Sequence, residues 1–154
     1  MSPDTFGPAD PGFETRVRDS FARQQVMRTL GVAMAALTPG RCELQMPFAP
    51  AFTQQHGFLH AGIVTTVADS AAGYAAYSLM PEDSSVLTVE FKQNLLAPAA
   101  GRLLIARAAV VRPGRQLSVV QSEAFVADAA GTEKAIALMQ ATMICLPGRP
   151  DRAA

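Results

Sequence analysis

Asp69 interrupts a run of small and apolar side chains nine residues after His60. At helical spacing it shares a stripe with Gly62, Thr65, Thr66, Ala72, Gly73 and Ala76, and none of these neutralises a carboxylate. Burying an unpaired charge in such company costs several kcal/mol. Two readings account for it. Either a distant arginine or backbone groups satisfy Asp69, or it is a working acid of the kind that marks a functional site. The segment leading in, Gln54-Gln55-His56-Gly57-Phe58-Leu59-His60-Ala61-Gly62, carries the other reactive groups. His56 and His60 stand four apart, but Gly57 breaks the turn between them and no third ligand is near, so a metal site is not expected. His60 reads better as a residue that pins the entering loop through its ring nitrogens. The unpaired amides at the helix start carry partial positive charge. The N–H of Ala61 or Gly62 would stabilise a carbonyl oxygen gaining negative charge, and the small side chains there leave room for a ligand.

Those residues need a frame. With 154 residues, 49% of them hydrophobic and 17% charged, the chain suits one domain with a sizeable core. Thirteen basic residues balance thirteen acidic ones, no basic run occurs, and no nucleic-acid partner is expected. Apart from Lys92 and Lys134 the basic residues are arginines, which suit fixed-geometry contacts to phosphates. Cys42 and Cys145 lie inside apolar strand-like stretches and read as core, which points to a reducing cytoplasm. The stretch from Ile63 to Met80 is interrupted by Asp69 and Gly73, so it is a poor membrane span and a good buried helix.

Along the chain, residues 1–12 read as a flexible arm, with three prolines and no apolar run that would make a signal peptide. Phe13, Val17 and Phe21, with Gln24 or Gln25, line one stripe of a helix from Phe13 to Leu30 that stops at Gly31. Strands are expected over Val32 to Leu37 and Cys42 to Phe48, and the long helix over His60 to Ser78. Four period-two segments follow: Val86 to Leu96, Arg102 to Arg112, Gln116 to Asp128 and Glu133 to Leu146. Their short connections favour an antiparallel meander. Residues 148–154 read as a flexible tail. The class is α+β, a single domain over residues 13–147, and no glycine-rich phosphate loop follows a strand.

The run Gly57-x-x-His60-Ala61-Gly62, with Asp69 beyond it, resembles the signature of hotdog-fold thioesterases of the phenylacetate-degradation (PaaI-like) branch. Thr88-Val89-Glu90-Phe91-Lys92-Gln93-Asn94-Leu95-Leu96-Ala97-Pro98 is similar to the strand that follows the central helix in that family. The resemblance implies a hotdog fold, a long central helix wrapped by a curved antiparallel sheet, preceded by an N-terminal helix. It implies hydrolysis of an acyl-CoA substrate without a cofactor, with Asp69 as general base or nucleophile. The Ala61 N–H would polarise the thioester carbonyl, Gln54 would position water or the leaving sulfur, and Thr88 would orient the water. His60 and Gly62 would shape the site. The turn Arg112-Pro113-Gly114-Arg115-Gln116-Leu117 resembles the one that holds coenzyme A, through Arg112, Gly114 and Arg115. The sites of the family lie between subunits, which implies a homodimer or homotetramer. Where the family has His-Gly-Gly, this chain has Ala61 in place of the first glycine, which adds a methyl group beside the amide. Two rivals remain on the same fold. A hydratase or dehydratase would use His60 with Asp69, and an acyl-CoA-binding domain would catalyse nothing. Gln54 and the strand from Thr88 to Pro98 point to the hydrolase. Sensors carry an attached DNA-binding segment, for which about thirty residues before the first strand leave no room.

Overall fold

A computed structural model describes residues 6–151 of the chain. Its elements are α1 (Phe13–Arg23), α2 (Gln25–Leu30), β1 (Ala33–Thr38), β2 (Arg41–Pro47), α3 (Ala61–Tyr77), β3 (Ser84–Leu95), β4 (Leu103–Arg112), β5 (Leu117–Ala127) and β6 (Glu133–Pro147), with one 3-10 turn at Pro50–Phe52. The class is α+β. One antiparallel sheet of six strands curves around α3, in the hotdog arrangement.

The helix expected from Phe13 to Leu30 is two helices. Gln24 has extended backbone, with ψ at 104°, and ends α1 by giving its N–H to the Phe21 carbonyl. Gly31, at φ 69°, ends α2 in the left-handed conformation that a side chain would strain. Val17 is fully buried, and Phe13 and Phe21 pack on the core as the stripe predicts.

The meander is corrected. The sheet order is β1-β2-β4-β5-β6-β3, so β3 pairs with β6 at the far edge instead of with β4. The link from Leu96 to Arg102 crosses the ends of the two intervening strands and is tied down along the way. Leu96 N–H donates to the Ile136 carbonyl at 2.8 Å and Arg102 N–H to the Ala127 carbonyl at 2.8 Å. Seven residues span roughly 23 Å when extended, enough for three strand spacings of about 4.8 Å each. A short connection therefore does not force a hairpin.

Small residues explain how the sheet closes on α3. Ala68, Ala71, Ala72, Ala75 and Ala76 are buried, and over them lie Leu44, Met46, Leu104, Val120, Met139 and Met143. Strand backbones approach a helix closely only where its side chains are short. Unbranched methionine fills the irregular gaps that remain.

Residues 6–12 do not behave as a free arm. Phe6 packs on the core, and the carboxylate of Asp10, itself buried, accepts from Arg16 Nε at 2.7 Å. Arg16 in turn donates to the Tyr77 and Met80 carbonyls at 3.3 and 2.8 Å and stacks over the Tyr77 ring. A cation thereby joins the Met80 N–H at the Tyr77 carbonyl and binds the Met80 carbonyl just past the end of α3. At the tail, Asp151 pairs with Arg23 at 3.0 Å. Residues 1–5 and 152–154 of the expected arm and tail lie outside the described residues. No described helix is long and apolar enough to cross a membrane.

Candidate active site

The loop before α3 folds on its own backbone. Thr53 and Leu59 form an isolated bridge, Gln54 N–H donates to the Phe58 carbonyl at 2.9 Å, and Gly57 N–H returns to the Gln54 carbonyl at 3.0 Å. Gly57 supports this reversal at φ 83°. The side-chain oxygen of Gln54 accepts from the His56 N–H, which orients the rest of its amide. His60 N–H donates to the Phe52 carbonyl at 2.9 Å, while its Nδ1 accepts from the Gly62 N–H at 2.9 Å. His60 is thus the N-cap of α3, and accepting at Nδ1 puts the ring proton of the neutral form on Nε2.

That cap decides between the two candidate amides. Gly62 N–H is taken, whereas Ala61 N–H has no acceptor among the described residues. Gln54, His60 and Ala61 line one cleft of about 660 Å³, with Leu95, Pro98 and Ile136 on its apolar side.

Asp69 lies two turns further along α3, about 12 Å from Ala61 at the helical rise. It is half-buried, and its Oδ1 accepts from Thr88 Oγ1 on β3 at 2.9 Å. Burial pushes its carboxyl above the usual carboxylate value, and the Thr88 hydrogen bond offsets part of that rise. No Lys, Arg or His among the described residues forms an ion pair with it, so the reading in which a distant arginine neutralises Asp69 finds no partner. Its cleft, about 440 Å³, is bounded by Ser20, Gln24, Gly73, Tyr74, Val86 and Thr88.

The candidates therefore fall into separate groups within one chain. Asp69 meets Thr88; Gln54, His60 and Ala61 meet one another; the two clefts share no lining residue. Arg112, Gly114 and Arg115 form a third group on the exposed turn after β4. The row Ser118–Met143–Thr88 across β5, β6 and β3 puts this turn at the Asp69 end of the sheet, two strands from Thr88. A β-carbon at Gly114 would lie 2.1 Å from the Leu117 carbonyl oxygen, so the turn admits only glycine there.

One wall of the Asp69 cleft was not anticipated. It comes from the corner between α1 and α2. Ser70 Oγ donates to Gln24 Oε1 at 3.4 Å, and the Tyr74 hydroxyl lies 3.4 Å from Ser20 Oγ. The available signal was the glutamine itself, a polar residue on an otherwise apolar stripe.

Comparison with known proteins bears on the family and the fold. The model of the family described as "Thioesterase superfamily" matches residues 56–131. A thioesterase family protein from Silicibacter pomeroyi, of known structure, is 58% identical, with a TM-score of 0.87 over 89% of this chain and 100% of that one. The PaaI protein of the Escherichia coli phenylacetic acid degradation operon superposes with a TM-score of 0.80 over 92% of this chain and 99% of its own, at 20% identity, a likeness of fold. The 1,4-dihydroxy-2-naphthoyl-CoA hydrolase of Listeria monocytogenes is 26% identical over 94 residues, covering 61% of this chain and 76% of that enzyme.

Proposed function

We propose that this chain, which belongs to the thioesterase superfamily, hydrolyses an acyl-CoA thioester to a free acid and coenzyme A, with Asp69 as the catalytic carboxylate. The observation that carries the reading is Asp69 itself: half-buried, without an ion-pair partner among the described residues, and held by one hydroxyl in an open cleft where Arg23 pairs with Asp151 instead. Nothing in the packing of α3 calls for a charge there. A relative that hydrolyses a CoA thioester supports the same chemistry.

Thioester hydrolysis asks little of the enzyme at the leaving group, because a thiolate departs without much protonation. The work lies in delivering an oxygen nucleophile and stabilising the oxyanion. Asp69 either attacks the carbonyl carbon, giving a mixed anhydride that water then cleaves, or takes a proton from an attacking water. Burial makes the carboxylate a stronger base, and the Thr88 hydroxyl fixes the orientation of one oxygen, leaving the other to react. The free Ala61 N–H stabilises the oxyanion, Gln54 positions the water or the sulfur, and Arg112 and Arg115 hold the coenzyme A phosphates beside Gly114.

An amide and a carboxylate about 12 Å apart on one helix cannot serve one carbonyl, so a second copy of the chain completes each site. A two-fold axis near Thr65, with the two α3 helices antiparallel, sets each Asp69 opposite the Ala61 of the other copy. Further support for a dimer comes from β3, an edge of the sheet, where Leu87, Val89 and Phe91 are 59%, 53% and 44% exposed. Two such dimers would give the tetramer. Both cysteines are free and buried, which suits a reducing cytoplasm.

The rival dehydratase chemistry needs His60 and Asp69 at one carbon. The Nδ1 of His60 is engaged in capping α3 two turns away, which favours the hydrolase. The deciding experiment is thiol release from a panel of acyl-CoAs by the wild type and Asp69→Asn. Release that disappears in the variant supports hydrolysis at Asp69. Acyl-CoA binding without release by the wild type would return the chain to the binding-domain reading.

A further inference from the structure

We infer that Gly73 is a specificity-determining residue, which keeps a stretch of α3 bare so that a bulky acyl group can lie against it beside Asp69. The inference rests on the acyl-CoA reading above.

The small residues of α3 are not alike. Ala68, Ala71, Ala72, Ala75 and Ala76 are buried under strands, and their size is explained by the sheet they carry. Gly73 is different: a β-carbon there would meet no described atom within 4 Å beyond its own helix. Its backbone is ordinary α-helix, with no positive φ that would demand glycine. Glycine in a helix interior is also less stable than alanine, because it gives up more backbone freedom on folding. Neither packing within the chain nor conformation accounts for it, and the space it leaves has room for another use.

The place of that space gives the use. Gly73 follows Asp69 by four residues, one turn, and lies on the same face of α3. It lines the cleft of about 440 Å³ that contains the Asp69 carboxylate. Gln24 and Val86, which line the same open cleft, belong to the corner between α1 and α2 and to β3 of this chain. With the thioester carbonyl at Asp69, an acyl group directed along the helix passes Gly73. At Gly73 that group meets backbone instead of a side chain and has room for branching or a ring.

A series Gly73→Ala, Gly73→Val and Gly73→Leu tests this against acetyl-, butanoyl-, hexanoyl- and phenylacetyl-CoA, with kcat/KM, melting temperature and size on a column measured for each. Expected is a graded exclusion. In the valine and leucine variants, kcat/KM for the bulkiest acyl group that the wild type accepts falls roughly tenfold or more beyond any loss for acetyl-CoA, the discrimination that one or two misplaced methylenes produce. Gly73→Ala should also melt roughly 2–4 °C higher, since it removes a helix-interior glycine without a clash. Its Tm is read independently of substrate and keeps the series interpretable if the larger variants misfold. An unchanged acyl profile, an equal loss for every acyl group, or a wild type confined to acetyl-CoA would overturn the inference while leaving hydrolysis at Asp69 intact. A wild type that releases no thiol from any acyl-CoA would remove the reading on which it rests.

Discussion

Asp69→Asn is the perturbation on which the proposed chemistry turns. Asparagine keeps the size of the side chain, and its carbonyl oxygen can still accept from Thr88 Oγ1, now 2.9 Å from Asp69 Oδ1. Nucleophile and base are both removed. General-base participation is worth roughly a hundredfold to ten-thousandfold, so kcat should fall at least about a hundredfold, close to 2.7 kcal/mol of barrier. KM should move little, because the contacts proposed for coenzyme A lie at the turn after β4. Stability should shift the other way. Burial raises the Asp69 carboxyl above its ordinary 3.8, so the folded state disfavours the ionised form. The stability this group contributes is complete below 3.8 and is lost as pH rises through the raised folded value. At neutral pH the variant should therefore melt at or above the wild-type temperature, and the difference should vanish below pH 3.8. Wild-type kcat should decline on acidification at a pH above 3.8, where the raised carboxyl takes up its proton. Stopped-assay thiol release and thermal melts on one preparation supply both quantities. A variant that turns over normally but melts lower would show Asp69 to be structural and refute the mechanism.

Further expectations follow from the same geometry. Thr88→Val removes the one hydrogen bond that holds the Asp69 carboxylate down, so the acid limb of the rate profile should move to higher pH and kcat should drop roughly threefold to tenfold; an unmoved limb would separate Thr88 from the site. Arg112→Ala with Arg115→Ala should raise KM for acyl-CoA with kcat nearly intact, and added salt should mimic the double variant; an unchanged KM would leave the turn without a ligand. Light scattering should return at least twice the 16.2 kDa chain mass at micromolar concentration, and a monomer with full activity would sink the shared site.

Periodicity made most of the elements readable. The long helix is bounded by His60 and Ser78 as caps, and all four later strands fall within a few residues of the expected bounds. Asp69 stood out because a charge among alanines and glycines has no packing explanation. What spacing could not reveal were meetings across the sheet. Thr88 reaches Asp69 over 19 positions of sequence, and the sheet position of β3 depends on how the sheet curls, about which a short loop says nothing. The break at Gln24 was hidden because a single extended residue barely disturbs a helical stripe, yet it turns the glutamine side chain toward Ser70. The docking of residues 6–12 was hidden for another reason. Proline-rich composition argues for looseness, and the Asp10–Arg16 contact that overrides it joins residues of no recognisable pattern.

The far-edge position of β3 also sets a timetable. Its residues, from Ser84 to Leu95, pair with β6 partners that follow them by roughly 40 to 60 residues, so one of the two longest ladders of the sheet is non-local, which slows folding relative to local pairing. During synthesis, at about 5–20 residues per second, β3 emerges on the order of seconds before the strand that shelters its inner edge. For that interval Val86, Leu87, Val89 and Phe91 form an unpaired, apolar, β-prone segment, with Glu90 and Lys92 as the charges that interrupt it. During that interval this strand is a place where the nascent chain is open to misassociation, before any active site exists.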